Sequence, residues 1–240
     1  MASIRTDRAP GATREIRFER GFPSNAPGSV LACFGETQVL CTATWTEGVP
    51  AWMRGKGGGW LTAEYAMLPA STDRRKSRDR AGKVDGRSVE IQRLIGRSVR
   101  AAVDLSLLGE RTLWIDCDVL KADGGTRTAA ISGAYVAVYD CLVAMGEKRL
   151  LRVFPMTTQL GAVSVGVVDG EVLCDLCYAE DAKADVDMNL VMTGEGEFIE
   201  VQGSAEGAPF SRDALDSMLE LGAAGCQQIF AAQKAVLGIE

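Results

Sequence analysis

The chain has no histidine among its 240 residues. That absence excludes a Ser-His-Asp triad, a Cys-His pair and the common histidine-ligated zinc sites. Any chemistry must use carboxylates, arginine, lysine, backbone amides or hydroxyls. A divalent ion would be a hard one, held by oxygen. Long apolar runs are also missing. The most apolar stretch, residues 131–145, is interrupted by Asp140. It is shorter than the roughly 20 residues that a bilayer span needs, so no membrane partner is expected. Arg5, Asp7 and Arg8 break up the N-terminal segment, which does not read as a signal peptide.

What is present is ordinary for a globular protein: 47% hydrophobic and 24% charged residues. Disordered and collagen-like classes are excluded. A chain of this length buries about 70–75% of its unfolded surface and needs no disulfide or metal to hold it. Seven cysteines are an odd number, and most sit among apolar neighbours. They read as small buried hydrophobes in a reducing compartment, hence a cytoplasmic protein. Cys174 and Cys177 form a lone CxxC with no second pair.

Charge is unevenly distributed on a chain of net charge −6. Residues 70–100 hold ten cations and four carboxylates, and residues 169–220 hold fourteen carboxylates and two cations. A basic strip on an acidic chain fits either a local polyanion site or a solvated, salt-bridged loop.

Alternating apolar residues predict a strand near residues 15–18. Hairpins are predicted over 28–45 and over 157–178, the second turning at Asp169-Gly170. Residues 59–69 and 111–120 read as strands, and so do 187–193 and 197–202. Residues 71–86 read as a mobile polar loop. Helical spacing predicts helices over 88–108, about 128–146 and 211–237. Ser29-Val-Leu-Ala, Gly35-Glu36 and Val39-Leu-Cys41 resemble Ser164-Val-Gly-Val, Gly170-Glu171 and Val172-Leu-Cys174. The expected fold is therefore α+β. Two similar βαβα-type halves, about 10–147 and 157–238, pack as one domain with helices covering the sheets.

Four stretches carry chemistry. Asp123-Gly-Gly-Thr-Arg-Thr128 lies between a strand and a helix. Its glycines allow close backbone approach and the helix start offers free amides. Thr126 and Thr128 add hydroxyls, and Arg127 adds a donor fork suited to phosphate. Asp85-Gly-Arg-Ser88 opens another helix, where Arg87 would bring a second cation. Asp181, Asp185 and Asp187 bracket a turn and would suit Mg²⁺, or they form an acidic turn. Arg93, Arg97 and Arg100, with Lys83, would guide an RNA backbone or pair with acidic residues of another subunit.

Taken together, these stretches resemble the ribonuclease PH family. The resemblance runs from about residue 5 to 231. It is densest in Gly59-Trp-Leu-Thr-Ala-Glu-Tyr65, Glu90-Ile-Gln-Arg-Leu-Ile-Gly-Arg97, Trp114-Ile-Asp-Cys-Asp-Val119, Ala122-Asp-Gly-Gly-Thr-Arg-Thr128, Asp187-Met-Asn189 and Val201-Gln-Gly203. It implies a phosphate-dependent 3′→5′ exoribonuclease that trims tRNA precursors and other RNA 3′ ends. Nucleoside 5′-diphosphates are released, and the reverse reaction is nucleotidyl transfer. It also implies a hexameric ring, a trimer of dimers. Carried over by residue, Arg87, Gly125, Thr126 and Arg127 bind phosphate. Asp181 and Asp187 are metal-linked catalytic carboxylates, with Mg²⁺ as cofactor and Arg87 beside them. The basic loop with Arg74, Arg75, Lys76, Arg78 and Arg80 meets tRNA; Arg93 and Arg97 are added to the RNA-binding set from the arginine face read above. Ala70, Ser88-Val89 and the loop 73–84 depart from the usual family pattern. The alternative is a catalytically silent RNA-binding ring subunit.

Overall fold

Alternation in the first part of the chain becomes sheet. Ile16–Arg20 (β1), Gly28–Phe34 (β2) and Thr37–Glu47 (β3) run antiparallel in sequence order. The β2–β3 hairpin turns at Gly35, in the left-handed region at φ +55°. Trp60–Met67 (β4) is an edge strand parallel to Arg111–Lys121 (β5), and Gly86–Ala101 (α1) makes the crossover between them. The strand order is β1-β2-β3-β5-β4. Thr126–Glu147 (α2) then closes the first half. The structure, a computed structural model, describes residues 5–78 and 85–239.

The second half uses only antiparallel pairing. Leu160–Val168 (β6) and Glu171–Cys174 (β7) form the hairpin expected at Asp169-Gly170, where both residues have positive φ. The short helix Tyr178–Asp181 (α3) leads into Val186–Thr193 (β8) and Phe198–Ala205 (β9). Strand order is β7-β6-β8-β9, and Arg212–Leu237 (α4) ends the half with Ser211 as its cap. The architecture is α+β, two sheets with helices packed against them.

Helix α2 lies between the sheets. A Cβ on Gly133 would come within 2.7 Å of Ala32 and Cys41 in the first sheet. The neighbouring Ser132 exchanges hydrogen bonds with the backbone of Ala162 in the second. Buried Gln233 of α4 donates to Ser132 O and Leu160 O, tying three elements together. By length and composition α2 could cross a membrane. Its apolar surface is instead covered by both sheets, and one buried cluster runs continuously from Phe18 to Phe230.

Two expectations need correction. The helix foreseen over 88–108 ends at Ala101. The backbone beyond it is captured by another segment: Thr157 N–H donates to Ala102 O, Asp104 N–H donates to Pro155 O, and Val103 bridges Met156. Asp104 then caps a separate 3₁₀ turn over Leu105–Leu108. The second correction is α3, which begins where a strand was expected to end.

That short helix is held from outside. Arg5 donates to both carboxylate oxygens of Glu180, at 2.7 and 2.8 Å, and to Cys174 O. Glu180 also accepts the Cys177 N–H. Burial pushes the Glu180 carboxyl up, but Arg5, the Cys177 N–H and Arg8 outweigh it and bring it down to about 2. The group is depressed on folding, so its contribution is complete above the ordinary carboxylate range and is lost as pH falls toward 2. Glu180→Gln should cost about 3–5 kcal/mol at neutral pH, because Arg5 is left buried and unpaired. In urea titrations the gap from the wild type should close between about pH 4.5 and pH 2.

Candidate active site

The two glycine-associated helix starts and the acidic turn converge. Arg87, Gly125, Thr126, Arg127, Ser164, Leu176, Asp181, Asp187, Met188 and Asn189 line one cavity of about 60 Å³. That is several times the 10–15 Å³ a single water requires. All six residues that the family resemblance assigned to phosphate or metal, Arg87, Gly125, Thr126, Arg127, Asp181 and Asp187, are on this wall. Asp185, the third acid of the turn, is exposed and does not line it.

One side of the cavity is cationic. Helix α2 is capped by Gly125 in the left-handed conformation, φ +63°, with no side chain on its first amides. Those N–H groups and the helix dipole favour an anion. Arg127 enters from the same turn and is shared with Gln202 at 2.9 Å and Glu90 at 3.5 Å. Arg87 enters from the first turn of α1, whose cap Asp85 accepts the Arg87 N–H. The hydroxyls behave differently from expectation. Thr128 Oγ1 donates to Gly125 O at 2.9 Å and is fully buried, so it shapes the turn and does not face the cavity. Thr126 Oγ1 is paired with buried Tyr65 Oη at 2.9 Å.

The other side is acidic. Asp181 ends α3, and Asp187 is the second residue of β8. Burial first, then the charge of Asp187, push the Asp181 carboxyl up, while Arg87, Arg127 and Arg14 pull it back. Asp187 Oδ1 is buried with no hydrogen-bond partner in the structure. A repelled carboxylate pair with one orphaned oxygen fits a hard cation. Among the described residues no group of three or more candidate ligands gathers. Mg²⁺ needs no such cage, since it usually takes one or two carboxylates and keeps waters and substrate phosphates.

The basic strip is divided. Arg74, Arg75 and Arg78 are exposed in the loop, while Lys76 is bound to Asp85 and so braces the start of α1. Arg80 and Lys83 lie outside the described residues. Arg93 is exposed without a partner among the described residues. Arg97 forms a two-pronged pair with Glu200 of β9, both bonds at 2.7 Å. Arg100 donates to Leu61 O and lies over the Trp60 ring. An acidic residue of the same chain therefore takes Arg97. Cys174 is buried, its thiol pushed up to about 12 by burial and then by Asp175, so the CxxC holds no reactive thiolate at that position.

Sequence reasoning missed Ser164 and Asn189 on the cavity wall. Asn189 had a signal: it lies two residues beyond Asp187 on a strand and so faces the same way. Ser164 had none in its spacing.

The sequence matches the profile of the 3′ exoribonuclease family, domain 1, over residues 12–144, and that of domain 2 over residues 158–225. The chain belongs to the 3′ exoribonuclease family. Ribonuclease PH of Nocardia farcinica is 55% identical over 234 residues, covering 97% of this chain and 91% of that protein. Ribonuclease PH of Corynebacterium glutamicum is 56% identical, covering 97% and 95%. Among solved structures, the Archaeoglobus fulgidus exosome with RNA bound to the active site superposes with a TM-score of 0.79. It is 20% identical and covers 93% of this chain and 90% of that one. Rice Rrp46 gives 0.77 at 19% identity, covering 97% and 98%. At these identities the structures establish the exoribonuclease family fold.

The anion loop packs backbone against backbone. Gly124 has φ +74°, and a Cβ there would lie 2.5 Å from Leu176 O and 2.7 Å from Cys177 C. Gly124→Ala therefore adds overpacking of about 1–3 kcal/mol to a left-handed penalty of about 1–2 kcal/mol. Gly21 has φ +68°, and a methyl placed there would have nothing within 4 Å, so Gly21→Ala should show only the conformational part. Thermal melts should show the larger fall for Gly124→Ala, at roughly 2–4 °C per kcal/mol.

Proposed function

We propose that this protein shortens RNA from its 3′ end with inorganic phosphate as the attacking group. It is a phosphate-dependent 3′→5′ exoribonuclease, and in reverse a nucleotidyltransferase. The observation that carries this is the two-sided cavity: helix amides, Arg87 and Arg127 opposite Asp181 and Asp187. Phosphorolysis needs no histidine, because phosphate is itself the nucleophile. The protein has to bring two anions together and hold them in line.

In this reading the α2 amides, Gly125, Thr126, Arg127 and Arg87 hold the attacking phosphate. One of its oxygens bonds to the phosphorus of the last linkage. The bond from that phosphorus to the preceding 3′ oxygen breaks. The terminal nucleotide leaves as a nucleoside 5′-diphosphate, and the shortened chain keeps a 3′-hydroxyl once that oxygen is protonated. The arginines stabilise the charge shared between the two phosphates. Asp181 and Asp187 would hold Mg²⁺, which when bound supplies positive charge at the scissile phosphate. The exposed Arg74, Arg75, Arg78 and Arg93 would receive the RNA backbone. The substrates are tRNA precursors and other RNA 3′ ends, ribosomal precursors among them. The working form is a homo-hexameric ring in the cytoplasm. The two halves act as one unit, a reading supported by the continuous core.

A product assay tests the chemistry. A tRNA with a short 3′ extension should yield nucleoside diphosphates only when phosphate and Mg²⁺ are present. Monophosphates without phosphate would mean hydrolysis. Arg127→Ala should raise the phosphate KM by about 10–100-fold, the loss of one or two charge-assisted bonds. Asp187→Asn should lower kcat by about 100-fold or more while the RNA still binds, and full turnover would remove the metal role.

A further inference from the structure

We infer that Arg14 is a positioning residue for the phosphate loop, and that its buried pairing with Asp175 sets where the loop presents its amides. This rests on the phosphorolytic reading above. Arg14 lies just ahead of β1 and Asp175 just after β7, 161 residues apart. Asp175 is fully buried and Arg14 nearly so. Arg14 Nη2 donates to Asp175 Oδ1 at 2.7 Å, and its Nε donates to Oδ2 at 2.9 Å. The Arg14 backbone N–H also donates to Oδ2, at 2.7 Å. Asp175 is itself fixed in the left-handed region at φ +55°, with its N–H on Ser164 O.

The fork pair leaves Nη1 free, and it donates to Asp123 O at 2.5 Å. Nη2 reaches Gly124 O at 3.5 Å, and Thr37 Oγ1 donates to the same carbonyl at 2.7 Å. Both carbonyls of the glycine loop are thus drawn to the Arg14 side. A trans peptide points its N–H opposite to its C=O. The N–H groups of Gly124 and Gly125 are therefore turned away from Arg14, and neither has a partner among the described residues. Arg14 does not line the cavity and lies on the far side of the loop, beside Thr13, Gly35 and Asp123. It acts on phosphate through the peptides it orients. Lysine could not copy this arrangement, because one ammonium cannot serve a carboxylate and two carbonyls in fixed directions.

The test separates phosphate handling from folding. Steady-state kinetics on an extended tRNA would be run for the wild type, Arg14→Lys, Asp175→Asn and Thr37→Val, with phosphate and RNA varied separately. Arg14→Lys should raise the phosphate KM by about tenfold or more, with kcat within about threefold and the RNA KM unchanged. Thr37→Val disturbs the same carbonyl without removing a charge, and should move the phosphate KM the same way by less. If Arg14→Lys does not fold, Thr37→Val and Asp175→Asn carry the comparison. Phosphate KM values equal to the wild type, even with lower melting temperatures, would overturn the positioning role alone. Wild-type turnover that ignores phosphate would overturn the phosphorolytic reading and this inference with it.

Discussion

Helix α2 carries apolar and small residues around nearly its whole circumference and is buried between two sheets. From Thr128 to Val138 every residue is buried, and solvent is met mainly along the last turns, from Tyr139 on. Each large side chain it buries contributes about 1.5–3 kcal/mol. Close packing forces small residues where strands approach: Gly133 lies against Ala32 and Cys41, and Gly28 lies against the Ala137 carbonyl. The helix reaches solvent at its start and along its last two to three turns. Its N-terminus emerges at the seam between the halves, and its first amides, which no side chain caps, come with it.

The seam then gathers opposite charges from distant elements. Helix starts bring Arg87 and Arg127, and α3 and β8 bring Asp181 and Asp187. Two like-charged carboxylates at one place are costly without a cation, and two arginines at one place are costly without an anion. Under the proposed function, uptake of a phosphate, a phosphodiester and a metal ion would answer both costs together. The absence of histidine is consistent with this division of labour, because no side chain has to be activated as a nucleophile.

The elements were largely legible in the residues. Alternation marked the first strand, β-branched and aromatic content marked the strand over 111–120, Asp169-Gly170 marked its hairpin, and Gly124-Gly125 marked the start of α2. Where local reading failed, a distant partner had intervened. Helical spacing continues past Ala101, but backbone groups of residues 155–157 capture Ala102, Val103 and Asp104. Residues 178–181 carry little helical signal by themselves, and Arg5 holds Glu180 in place from the other end of the chain. Thr128 read as a ligand hydroxyl, whereas the turn geometry commits it to the Gly125 carbonyl.

The sequence by itself determined the fold class and most of the elements, because side-chain periodicity and turn chemistry are local properties of the chain. The charged residues of the cavity wall were singled out by the resemblance to the ribonuclease PH family, since spacing alone left an ordinary turn and an acidic turn open. Only the tertiary structure decided which charges meet. Arg97 faces Glu200 of its own chain, Lys76 is absorbed by Asp85, and Arg5 and Arg14 are bound to acids more than 160 residues away. Such pairs depend on sheet register and on how the halves pack around α2. Those are long-range contacts whose closure leaves no periodic trace in the sequence.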